Sequence, residues 1–98
     1  MTEKQAEILF RKIEKTMRPK YKINAIVFSD SFPNNNDVAF NDVFDDLIFV
    51  KKSILTEYPR EYVIATFIHE LLHQKYLDHS KAFYKDLTRW LNKLKRLK

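Results

Sequence analysis

Every histidine in this chain falls between positions 69 and 79: His69, His73 and His79. The first two bracket the pentapeptide His69-Glu70-Leu71-Leu72-His73. On a helix, residues four apart share a face. At about 100° per residue, His73 lies roughly 40° round the axis from His69, and Glu70 about 60° beyond His73. All three side chains therefore fit an arc of about 100°. Two imidazoles converging on one point form two legs of a tetrahedral zinc site. A carboxylate beside them can reach a water that the metal activates, without itself being a ligand. Such a site constrains the fold. Residues 59–83 must contain a helix, its back must be buried, and the chain must return to deliver His79.

The flanking sequence fits these demands. Val63, Ile64, Phe67, Ile68, Leu71 and Leu72 make a wide apolar face, with Tyr62, Thr66, His69, Glu70 and His73 on the other side. Thr56 or Tyr58 caps the predicted helix, Pro59 sits in its first turn, and it ends near Tyr76 or Leu77. Asp78 and His79 then make a turn. Ser80 is a plausible N-cap for a last helix in which Phe83, Leu87, Trp90, Leu91 and Leu94 recur at helical spacing. A catalytic zinc needs a third protein ligand and an open position, and His79 can supply that ligand by folding back. Glu70 is placed to take a proton from the attacking water and return it to a leaving amine. A metal that only stabilises the fold has no use for Glu70, because structural sites close their fourth position.

The rest of the chain reads as a scaffold. At 98 residues it makes one small domain, residues 1–98. Cysteine is absent, so disulfides and thiolate zinc sites are excluded. Glycine is absent too, so turns fall to Pro, Asn, Asp and Ser. Thr2 and Gln5 fit a capping box for a helix over residues 3–17, which buries Ala6, Leu9, Phe10, Ile13 and Met17 and stops before Pro19. Residues 22–29, 37–41 and 47–55 read as strands separated by polar turns at 30–37 and 42–46, the last of them a strand throughout or a strand running into a short turn. The expected class is α+β: a small, mostly antiparallel three-stranded sheet packed on the N-terminal helix and the histidine-bearing helix, plus a C-terminal amphipathic helix. The apolar run 62–68 is too short to span a bilayer, and the N-terminus has no signal-peptide core, so a soluble cytoplasmic protein is expected.

The net charge of +5 is unevenly placed. Residues 1–80 carry 11 Lys/Arg and 12 Asp/Glu, whereas residues 81–98 carry 7 Lys/Arg and only Asp86. The basic tail could be a footprint for nucleic acid. The simpler account is the solvated face of a terminal helix whose cations suit its C-terminal dipole. The apolar stripe of that helix could pack on its own domain, cover the metal cleft, or be exchanged between two copies to form a homodimer.

The pentapeptide resembles that of the zincin metallopeptidases. His79 extends it to H-E-x-x-H-x5-H, the spacing of metzincins. Tyr76 stands where metzincins have glycine, and no methionine follows the motif. Gluzincins mostly use a downstream glutamate as third ligand, and this chain has none after Glu70. The best match is to the minigluzincins, minimal peptidases similar to the catalytic domains of HtpX- and CAAX-protease-type membrane peptidases. Val38-Ala39-Phe40, Ile48-Phe49-Val50, Ile54-Leu55 and the motif helix follow their strand–strand–helix order. His79-Ser80-x-x-Phe83 is similar, more distantly, to YgjP-type and SprT-like metalloproteins. The resemblance implies that His69, His73 and His79 bind Zn2+ and that Glu70 is the base. It also implies that a strand such as Leu47–Lys51 is the rim on which an extended peptide substrate pairs, and that the C-terminal segment keeps the enzyme latent. Many relatives have an aspartate where this chain has Phe83, leaving Asp86 or a backbone carbonyl to orient a ligand. Tyr62, Tyr76 and Tyr84 are candidates to stabilise an oxyanion. A zinc-dependent endopeptidase is the expected function. The alternatives are a basic nucleic-acid-associated metalloprotein and a metal-dependent phosphohydrolase.

Overall fold

The computed structural model describes residues 1–19, 22–31, 39–42, 45–76 and 78–94. Most of the predicted turn over 30–37, part of that over 42–46, the first residues of the strand predicted over 37–41, Leu77 and the tail from 95 onward lie outside them. Helix α1 (Glu3–Met17) opens as expected: the Gln5 N–H donates to Thr2 Oγ1 at 3.1 Å, and the Thr2 N–H donates to Gln5 Oε1 at 3.0 Å. Ala6, Leu9, Phe10 and Ile13 face the core. The helix ends at Arg18, whose φ of 51° is left-handed, a conformation that glycine would take more cheaply.

Strands β1 (Ala25–Ser29), β2 (Ala39–Asp42) and β3 (Leu47–Lys51) form one sheet in the order β1-β3-β2. This corrects the expected mostly antiparallel arrangement. β2 pairs with β3 antiparallel, but β1 pairs with β3 parallel, Ala25 opposite Leu47 through Ser29 opposite Lys51. Consecutive hairpins would have put β1 beside β2. The link between them, however, has no two-residue turn signal to enforce a hairpin, and it is long enough to pass over one strand position of about 5 Å. The most apolar strand, with Ile48 and Val50 buried, takes the centre, where both of its edges are paired.

Of the two readings of residues 47–55, the strand running into a turn holds: the strand ends at Lys51. Lys52 and Ser53 turn the chain into a short helix α2 (Ile54–Glu57), which buries Ile54 and Leu55. Pro59 then serves as N-cap of α3 (Arg60–Leu72). Val63, Ile64, Phe67, Ile68, Leu71 and Leu72 are all buried, as their spacing predicts, and Phe67 meets Phe10 edge-on at 5.4 Å. Helix α4 (Lys81–Leu94) lies against α3. Phe83 and Leu94 are fully enclosed, and Leu87, Trp90 and Leu91 pack on the same core from its margin. The apolar stripe of the basic helix therefore serves its own domain. Among the described residues no helix is long and apolar enough to cross a membrane.

Candidate metal centre

His69 sits in the last turn of α3, and His73 is the residue that caps it. The helix thus stops at Leu72, four or five residues short of the expected end at Tyr76 or Leu77. Its exit is tightened: His73, Gln74 and Lys75 donate N–H bonds three residues back, to the carbonyls of Glu70, Leu71 and Leu72 at 3.2, 3.2 and 2.9 Å. The His73 side chain helps to fix this turn, with Nδ1 3.1 Å from the Tyr76 carbonyl oxygen. A carbonyl only accepts, so His73 Nδ1 is the donor of this bond, which leaves Nε2 as the atom that can face a metal. His79 follows the turn, and Ser80 starts α4 by accepting the Phe83 N–H at 3.2 Å.

These turns bring the three predicted histidines together. Their candidate ligand atoms all lie within 4.8 Å of one another, and His79 Nε2 is 3.1 Å from His69 Nε2. Nitrogens bound to one zinc at about 2.0–2.1 Å with tetrahedral angles are roughly 3.3–3.4 Å apart. The His69–His79 pair is close to that spacing, and the all-nitrogen donor set could hold a metal ion. His69 and His73 are half-buried and His79 is exposed, so the cluster opens to solvent on the His79 side. The negative end of the α3 dipole also points toward the cluster, which favours a cation there.

The surroundings hold the His69 imidazole neutral. Burial, and then the nearness of His73 and His79, lower the His69 pKa from 6.5 to about 4. A neutral imidazole is the form that binds a metal. Phe83 forms the floor: its ring is 5.0 Å from those of His69 and His73, 5.1 Å from that of His79, and nearly parallel to His73. The ring is an apolar plate beneath all three imidazoles. Glu70, on the same turn of α3 as His69, is buried with 5 % of its surface exposed.

The tyrosines divide by role. The Tyr76 hydroxyl donates to Asp86 Oδ2 at 2.6 Å and is committed there. Tyr62 stacks on Tyr58 at 4.4 Å, one helical turn and more from the histidines. Tyr84 is exposed, with its ring 6.1 Å from that of His79. The expected rim strand is also corrected. Leu47–Lys51 is central and paired on both sides, so it has no free edge for a peptide; the edge strand that contacts α3 is β2. Sequence reasoning left open which group orients His73. The Tyr76 carbonyl does so, and a backbone group leaves no trace in residue identity.

No protein-family model matches this chain, and no curated protein matches it by sequence. Among solved structures it is similar to the metallopeptidase zymogen of Methanocaldococcus jannaschii jannalysin. The TM-score is 0.70 at 17 % sequence identity, covering 86 % of this chain and 79 % of that one. The two share a fold.

Proposed function

We propose that this chain is a zinc-dependent endopeptidase in which His69, His73 and His79 hold the metal and Glu70 is the general base. The observation that carries the reading is the convergence of three imidazoles, with two Nε2 atoms 3.1 Å apart, beside a buried glutamate on the same helix. The fold shared with a metallopeptidase zymogen supports it. When bound, the ion supplies Lewis acidity toward water and toward a substrate carbonyl. The chain supplies the remainder. The Tyr76 carbonyl fixes the His73 tautomer. Glu70 takes the proton of the attacking water and passes it to the leaving amine. Phe83 keeps bulk water from the rear of the site. An extended peptide adds to the outer edge of β2, and such pairing accepts internal peptide bonds rather than chain ends.

In this reading α4 is a wall of the site. Phe83 and Leu94 share the core with α3, so any latent state is relieved by movement of this helix rather than by its loss. The test is zinc content together with hydrolysis of denatured casein, for protein purified without chelator. Glu70→Ala is expected to keep its zinc and lose about 10²–10⁴-fold in rate. His79→Ala is expected to lose zinc affinity. Wild-type protein that carries no zinc and takes none up would sink the proposal.

A further inference from the structure

The segment that delivers His79 is closed at its base by side-chain bonds from Tyr76 and Lys75 to Asp86. Tyr76 precedes His79 and Asp86 lies on the second turn of α4, and the Tyr76 hydroxyl donates to Asp86 Oδ2 at 2.6 Å. Asp86 is held in place in turn: Lys75 Nζ reaches Oδ2, and Arg89 Nε reaches Oδ1, each at 3.3 Å. The main chain of the same tyrosine accepts the His73 Nδ1 proton at 3.1 Å. One residue thus touches the second histidine through its carbonyl and fastens the loop of the third through its ring.

We infer that Tyr76 and Asp86 form a clamp of positioning residues for the metal centre. With the ring anchored, the Tyr76 carbonyl stays aimed at His73 Nδ1, and Nε2 stays aimed at His69 and His79. With residues 76 and 86 joined, the stretch carrying His79 has fewer conformations to lose when the ion binds. The bonds of Asp86 run to Tyr76, Lys75 and Arg89, so it acts on the imidazoles through the turn that carries Tyr76. This inference rests on the three-histidine reading of the site.

The test is a double-mutant cycle of Tyr76→Phe and Asp86→Asn, read as zinc affinity by chelator competition. Each single variant is expected to bind zinc about tenfold more weakly, at the low end of the 10–100-fold typical of residues that orient a ligand. The double variant should be no weaker than the weaker single. A second readout is the imidazole 15N spectrum of metal-free protein. Wild-type His73 should hold the Nδ1–H tautomer, and Tyr76→Phe should show a mixture of tautomers. General loss of stability would not produce that change. Should Asp86→Asn fail to fold, Tyr76→Phe decides by itself, since it removes one oxygen. Unchanged zinc affinity and tautomer in Tyr76→Phe, with tight binding by wild type, would overturn the clamp and leave the metal site standing. Absence of zinc binding by wild type would overturn both.

Discussion

Two polar clusters in this chain have opposite chemistry. At the α1–β1 junction the buried carboxylate of Glu14 accepts from Arg11 Nη1 at 2.7 Å and from the Ile23 N–H at 2.8 Å. Arg11 spends a second bond on the Ile23 carbonyl at 2.8 Å. Charge and hydrogen bonds are balanced within the chain, so this cluster needs nothing from solution. At the end of α3, three like groups crowd one another, and one of them is already driven to resist a proton. Three imidazoles gathered at one point offer nitrogen donors to a cation from outside the chain. The contrast separates a structural knot from a receptor.

The largest expected effect tests the knot. Glu14→Ala should cost about 3 kcal/mol in denaturant unfolding, the low end for a broken buried pair, because Arg11 remains partly exposed. The loss should be equal with and without zinc. Unequal losses would couple the two clusters and end the distinction between them. Next in size, zinc at a hundred times its Kd should stabilise the wild type by about 2.7 kcal/mol, and His79→Ala should abolish the gain. Thermal shift against zinc concentration measures it.

A smaller effect concerns acid. The folded-state pKa of His69 is lowered, so between about pH 4 and 6.5 the unfolded chain binds the additional proton. Stability of the metal-free protein should therefore be full above about pH 6.5, fall as the pH drops through that window, and level off near pH 4. Because the cluster is partly solvated, the fall is only a fraction of what a fully buried group would give. His69→Gln should flatten the curve, and an equally steep curve in that variant would clear His69 of the effect. Smallest of all, Arg18→Gly should stabilise by about 0.5 kcal/mol in the same unfolding assay, by relieving the left-handed cap of α1. A loss would show that the Arg18 side chain matters more than its backbone.

What could be read from residues alone follows sequence distance. The motif, the apolar back of α3, the Thr2–Gln5 cap and the stripe of α4 are patterns within a few turns, and the structure displays each of them. The parallel pairing of β1 with β3 was not legible, because it depends on which strand gains most from a central position. The stop of α3 at Leu72 was hidden as well, since the apolar pattern runs on past it while the His73 ring competes for the Tyr76 carbonyl. The bond from Tyr76 to Asp86 spans ten positions across a turn, and neither side chain announces it.

The break between His73 and His79 has a kinetic consequence. Two of the three imidazoles belong to α3, but the third travels with the start of α4. In the proposed site, an ion held by all three would tie the two helices together, coupling its release to the opening of that junction. Its residence time then becomes a clock for the undocking of α4. Amide exchange along Phe83 to Trp90 and the rate of zinc release to a chelator should slow and quicken together across buffer conditions.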